Sequence, residues 1–169
     1  MTYFQKEELE KSVVLESQKE QGPKNNIIKN LKYEIKLEND NFYVVTADTS
    51  ELSYVNNSEL VNMQQVVAKF TDKQNTILTI ISDEALYNNF NHNTQFKKNV
   101  VISYMSNKIF SDKIDVNFQD NKVKIFDNVK FIGVDGIVNS DNIMIDLVTK
   151  KMNIYMNDEK KNVKVTKFE

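Results

Sequence analysis

A chain of 169 residues, 40% hydrophobic and 27% charged, is long enough for one domain with a buried core and too apolar for wholesale disorder. Its net charge is −2, and every basic residue is lysine, so no global basic field draws it to nucleic acid and no guanidinium fork is available for phosphate. With no cysteine there is no disulfide framework, thiolate metal site or cysteine nucleophile.

Residues 1–24 are rich in Glu, Gln and Lys, with a thin apolar row at Phe4, Leu9 and Val13, and Gly22-Pro23 stops any helix begun there. They read as a linker, a short helix or a disordered lead-in to one domain spanning 25–169. The first residues lack the basic and apolar regions of a signal peptide, and no run approaches the ~20 apolar residues of a spanning helix. The protein is then either cytosolic or targeted by a segment upstream of Met1.

From Ile27 the hydrophobic period becomes two. Leu31, Tyr33, Ile35 and Leu37 alternate with Lys32, Glu34 and Lys36, the pattern of a half-buried strand. Further strands are predicted over 42–47, 59–70, 76–87, 95–104, 109–118, 123–131, 137–147, 152–156 and 163–168. Polar turn signals such as Asn39-Asp40-Asn41, Asn56-Asn57, Asp120-Asn121 and Asn157-Asp158 separate them. This spacing indicates an antiparallel meander, sandwich or roll.

The chain also repeats. A small residue followed by Asp recurs at Ala47-Asp48, Ser82-Asp83, Ser111-Asp112 and Ser140-Asp141, at intervals of 35, 29 and 29 residues. Asn99-Val100 and Asn128-Val129 follow two of these Asp residues by 16 positions, and Gln65-Val66 follows Asp48 by 17. A period near 30 with hairpin content means stacked β-units, none able to bury its own face alone. The small residue is expected to permit a sharp bend where a strand leaves one sheet for another, with Asp bonding the local backbone. One carboxylate per repeat is not a chelating cluster, and no metal or cofactor is expected.

Catalytic patterns are missing from the sequence. His92 is the single histidine and reads as an exposed residue of an Asn-rich loop tip. Asp112 with Asp115, or Asp141 with Asp146, are paired carboxylates only by proximity, and there is no nucleophile elbow, Walker loop or dinucleotide fingerprint. Gly133-Val134-Asp135-Gly136 reads as a bend between strands. The expectation is a non-enzyme.

The order Asn30-Leu31-Lys32-Tyr33-Glu34, Tyr43-Val44-Val45-Thr46-Ala47-Asp48, Leu60-Val61-Asn62-Met63, Ile81-Ser82-Asp83-Glu84-Ala85 and Asn128 through Asn139-Ser140-Asp141 to Leu147 resembles the periplasmic domain of the LptC family, kin to the LptA and OstA-type repeats. The resemblance covers about residues 27–160 and rests on the repeated order, since each motif is short. It implies an all-β, twisted, open antiparallel β-jellyroll. Its interior would carry the acyl chains of lipopolysaccharide along a periplasmic bridge from the inner to the outer membrane. Lipid would arrive from an inner-membrane ABC-type extractor and leave to an LptA-like module by edge-strand addition; the same edge could pair two copies into a homodimer. Family members carry an N-terminal membrane helix that this sequence lacks, which places the expected tether upstream of Met1 and residues 1–24 in a linker. If Met1 is the true start, the soluble LptA-like role gains. Gly136 fits the glycine before the family's last long hairpin, and the family offers no catalytic residues.

Parity within the repeats selects Val45, Leu52, Leu78, Ile80, Val100, Ile102, Ile114, Val116, Val129, Phe131, Ile143 and Ile145 as lipid-binding candidates, with Lys130 outward. A slip of one residue would invert any row. Plain core packing is the alternative role for each. The corresponding alternative for the whole chain is a structural β-repeat envelope or adhesin-type protein with a sealed core and no lipid ligand.

Overall fold

The computed structural model describes residues 26–169, so the predicted lead-in lies outside the described residues. Ten strands follow one another: β1 (Ile27–Lys36), β2 (Phe42–Val55), β3 (Ser58–Thr71), β4 (Ile77–Asn88), β5 (Thr94–Tyr104), β6 (Asn107–Asn117), β7 (Lys122–Ile132), β8 (Gly136–Asp146), β9 (Met152–Tyr155) and β10 (Lys164–Lys167). The only helical turn among the described residues is Glu38–Asp40, which links β1 to β2. All strands belong to one antiparallel sheet in which β1 to β8 pair in sequence order. The sheet is open. β1 has only β2 beside it among the described residues, whereas the far side of β8 is shared between β9, on Asn142–Ile145, and β10, on Gly136–Asn139.

Turn chemistry sets the hairpins. Asn56 and Asn57 take left-handed backbone angles (φ 49° and 63°) between β2 and β3, the geometry a two-residue hairpin needs and Asn tolerates. Asp72 accepts backbone N–H bonds from Gln74 (2.9 Å) and Thr76 (2.8 Å) between β3 and β4. Asp146 does the same for Val148 and Thr149 after β8. These bonds to the charged form hold both carboxyls below the ordinary range, the Thr76 and Thr149 amides leading.

Every long strand bends at mid-length. Ala47 and Ser50 both face inward, with Asp48 and Thr49 outward between them. Ser82 and Ala85, and Ser111 and Ile114, bracket the same break on β4 and β6. On the odd strands the break falls at left-handed residues: Asn30, Gln65, the pair Lys98-Asn99 and the pair Asp127-Asn128. From β4 to β8 each strand pair has its register shift at this line, with the extra residue on β5 or β7.

Three expectations change here. The bend lies inside continuous strands of a single sheet, not where a strand crosses to another, so β2 runs on through Asp48 to Val55, beyond the predicted end at residue 47. The pairing of β2 with β1 and β3 on both sides of Asp48 holds it as a strand. The Asp side chains of β4 and β6 bond the next strand rather than the local backbone: Asp83 accepts from Asn99 Nδ2, and Asp112 from Asn128 Nδ2. The local bonds belong to the serines, whose hydroxyls donate to the carbonyl two residues on at Ser82 (2.9 Å), Ser111 (3.3 Å) and Ser140 (3.3 Å).

The bend line divides the sheet into two layers. The first layer carries the β1–β2, β3–β4, β5–β6 and β7–β8 turns; the second carries the β2–β3, β4–β5, β6–β7 and β8–β9 turns. They fold against each other. Tyr33 of the first stacks on Tyr87 of the second, ring centroids 4.8 Å apart, and Tyr43 of the first meets Phe118 of the second at 5.3 Å. The core lies between them.

Candidate binding interior

The inner faces of β1 to β8 contribute one continuous apolar interior. Its largest wholly enclosed side chains are Tyr43, Tyr87, Phe96, Met63, Ile80, Ile114, Ile125 and Ile143. Among the described residues no lysine, aspartate or glutamate is buried; the polar members are serines, Thr94, His92 and Asn142. Burial of each large side chain contributes about 1.5–3 kcal/mol.

All twelve sequence-selected residues face this interior. Val45, Ile80, Val100, Ile102, Ile114, Val116, Val129 and Ile143 are buried, and Leu52, Leu78, Phe131 and Ile145 pack partly buried against them. The outward choice, Lys130, is exposed. The set crosses both layers because the parity change between Val45 and Leu52 coincides with the bend at Asp48. Inward residues it left out include Met63, Val66, Phe96 and Ile125; the first three flank left-handed breaks on β3 and β5, where alternation is interrupted.

The interior is not uniform along its length. Toward β1 it is plugged by rings: Tyr33 on Tyr87, and Tyr43 between Phe70 (4.3 Å) and Phe118. Tyr43 Oη shares a 3.0 Å hydrogen bond with Thr94 Oγ1, and Thr94 Oγ1 donates to the His92 carbonyl. Tyr87 Oη lies 2.6 Å from His92 Nδ1. His92 is therefore buried, at 6% exposure, and not at an exposed loop tip. The turn 89–93 folds back over the second layer, carrying the imidazole onto the Tyr87 ring edge. Burial pushes the Tyr33 phenol up to about 12, helped by the charge of Glu59 and by Tyr54, and raises Tyr43 and Tyr87 further, again by burial first. Within this interior Ser50 Oγ has no hydrogen-bond partner among the described residues.

Partly buried apolar residues line both ends of the interior: Ile28, Leu37, Leu52, Phe70 and Leu78 toward β1, and Phe131, Ile145, Leu147 and Ile154 toward β8. A concavity of about 360 Å³ opens here, lined by the inward residues Phe131 and Val138 together with Gly133 to Gly136, Val165 and Lys167. It opens to solvent at the β7–β8 turn, where Val134 and Asp135 are exposed. Gly133 and Gly136 close the β7–β8 turn by a 2.9 Å backbone bond, so the predicted bend is a hairpin turn. Gly136 is required by contact: a Cβ there would sit 2.2 Å from the Thr166 carbonyl oxygen of β10.

Among the described residues no group of three or more His, Asp or Glu side chains could hold a metal ion, and no helix is long and apolar enough to cross a membrane. Of the carboxylate pairs, Asp115 is partly buried and its carboxyl is raised by burial against the opposing lysines Lys124, Lys97 and Lys113. Asp112 instead accepts from Asn128. The two therefore serve different structural surroundings. No protein-family model and no curated protein matches the chain.

Proposed function

We propose that this domain carries lipid acyl chains between its two layers and passes them along the sheet, as an LptC-like module of lipopolysaccharide transport. The observation that supports this reading is the continuous apolar interior of an open sheet, with no buried Lys, Asp or Glu among the described residues. An open sheet has no closing strand pair to break, so its layers part at the cost of side-chain packing and, toward β1, of the Tyr43–Thr94 hydrogen bond. Each acyl CH₂ taken up returns about 0.8 kcal/mol, which offsets that cost without any catalytic group. The partly buried Phe131 and Ile145 would be met first, and Val129, Ile143 and Ile114 deeper in. Lipopolysaccharide, an inner-membrane extractor, an LptA-like module on a sheet edge and a periplasmic setting belong to the same proposal, through the resemblance.

The second reading, a structural β-repeat protein with a sealed core, is favoured by the ring plug at Tyr33, Tyr87, Tyr43 and Phe118. Photo-crosslinking decides between them. A photoreactive residue replaces Ile102 or Ile145, with Lys130 as the outward control, and lipopolysaccharide is the probe. Crosslinks at the inner positions and none at Lys130 are expected for a carrier. A folded protein with no crosslink at any position would establish the sealed core and end the carrier reading.

A further inference from the structure

The outer face of the first layer carries an apolar row that the core does not use. Val67, Ile81, Val101 and Phe110 are successive cross-strand partners on β3, β4, β5 and β6. All four point away from the interior, because their neighbours Val66, Ala68, Ile80, Val100, Ile102 and Ile109 point into it. Ile81 is 48% exposed and Phe110 37%. At about 4.8 Å between strands the row runs roughly 15 Å across the sheet. Register extends it to a lysine at each end: Lys130 pairs with Phe110, and Lys32 with Thr46, the partner of Val67. One rung nearer the turns lie Lys69 on β3 and Lys108 on β6, with Thr79 and Ser103 between them. Beyond these, Ile77 and Met105 are exposed at the first-layer turns.

The strand residues of this face are one-sided in charge, in a protein whose net charge is −2, whereas the turns beyond them carry Glu38, Asp40, Asp72 and Asp135. Between the bend line and the turns, the strands β1 to β8 carry Lys32, Lys36, Lys69, Lys108 and Lys130 outward against Glu34 alone. Among the described residues no ion pair engages Lys69, Lys108 or Lys130. The second layer's outer face mixes the two signs: Lys98 is held by Glu84 at 2.6 Å, Lys113 by Asp127 at 3.0 Å, and Asp115 lies among Lys124, Lys97 and Lys113. The acids Asp48, Asp83, Asp112 and Asp141 are drawn up along the bend, at the border of the basic face.

We infer that the outer face of the first layer docks on an anionic bilayer surface. Lysines at the rim reach the headgroups while their stems lie along the sheet, and Ile81, Phe110, Ile77 and Met105 enter the boundary between headgroups and acyl chains. The line of aspartates along the bend marks the edge of the contact on that side. A small apolar row flanked by Lys69, Lys108 and Lys130, none of them in an ion pair among the described residues, suits a lipid surface better than a protein partner, which would need matching acids at each lysine. The inference concerns the outer face and does not depend on whether the interior carries lipid.

Vesicle co-sedimentation at low salt tests it, using phosphatidylcholine alone and phosphatidylcholine with a quarter phosphatidylglycerol. The protein is expected on the phosphatidylglycerol vesicles and not on pure phosphatidylcholine, with binding weakened by salt. The variant carrying Lys69→Gln, Lys108→Gln and Lys130→Gln should partition on the order of a hundredfold more weakly. Ile81→Ser with Phe110→Ser should also weaken binding, by roughly tenfold or more. The comparison variant with Lys97→Gln, Lys113→Gln and Lys124→Gln, on the other outer face, should bind as the parent does. Circular dichroism checks that each variant is folded. Absence of binding by the parent protein, equal binding to both vesicle types, or an equal loss in the comparison variant would overturn the inference.

Discussion

Asn99 Nδ2 donates to Asp83 Oδ2 at 2.6 Å, joining β5 to β4 at the point where both strands bend. The same bond recurs between Asn128 and Asp112 on β7 and β6, at 2.5 Å. On β8, Asp141 accepts instead from the backbone N–H of Asn157, at 2.9 Å and the same separation of 16 residues. The left-handed Asn supplies the break in its own strand and the side chain that ties the neighbouring Asp. A double-mutant cycle on Asp112→Ala and Asn128→Gly, in which Gly keeps the left-handed backbone, should give a coupling of about 0.5–1 kcal/mol by urea unfolding. Asn128→Val should cost more than Asn128→Gly, because a β-branched residue resists positive φ.

Interior truncations should separate filled from spare space. Phe96→Ala is expected to cost about 3–5 kcal/mol and Ile143→Ala about 2–5 kcal/mol, since both side chains are wholly enclosed. Ser50→Ala should be neutral or stabilising, because it removes a buried hydroxyl without breaking a bond seen among the described residues. Chemical denaturation of the three variants checks the order. A costly Ser50→Ala would mean that Oγ has a partner in solution.

The buried phenols fix the response to alkali. The fold favours neutral Tyr33, raised from 10.0 to about 12, and neutral Tyr43 and Tyr87. The associated stability is whole below pH 10, the ordinary tyrosine value, and is lost as pH rises through the folded values. Denaturation midpoints should fall steeply above about pH 10, with phenolate absorbance appearing together with unfolding. Tyr33→Phe should make the fall shallower; an unchanged slope would remove Tyr33 from the account.

Tyr87 and His92 make a second, local prediction. Tyr87→Phe leaves the stack on Tyr33 in place but removes the hydroxyl beside His92 Nδ1. The expected loss is about 1–3 kcal/mol, the cost of a buried nitrogen deprived of this partner. Thermal unfolding against the parent protein reads it.

Gly136→Ala should detach the last strand while leaving the rest. The added Cβ meets backbone of Thr166 and Lys167, which cannot yield without β10 leaving β8. Hydrogen exchange should lose protection over 164–167, with β2 to β6 unchanged. Retained protection would show that β10 tolerates a shift.

Much of this arrangement was legible in the sequence, because a two-residue period survives wherever one face is buried. Ile114 and Val116, or Val129 and Phe131, point inward as their alternation requires. Asp48 misled as a strand end because an Asp after a small residue reads the same at a turn and at a bulge; only pairing on both sides distinguishes them. His92 misled because its burial depends on Tyr87 across the turn, and a polar stretch of Asn residues carries no trace of that contact. The extent to which the interior is filled was equally hidden. It depends on rings meeting across the layers, Tyr33 on Tyr87 and Tyr43 on Phe118, and no local pattern encodes partners 54 and 75 residues apart.

The recurrence of the Asp83–Asn99 bond at Asp112–Asn128 makes the molecule extensible. Excising residues 84–112 would bring Asn128 to the distance from Asp83 that Asn99 now has, and would remove one β-hairpin's worth of strands without disturbing the alignment of those that remain. The length of the apolar interior would then shrink by about 10 Å, two strand spacings. Duplicating the same stretch would lengthen it equally. Reach is thus a matter of counting units, and an ancestral gene could have adjusted it by unequal crossing-over rather than by redesigning any one strand.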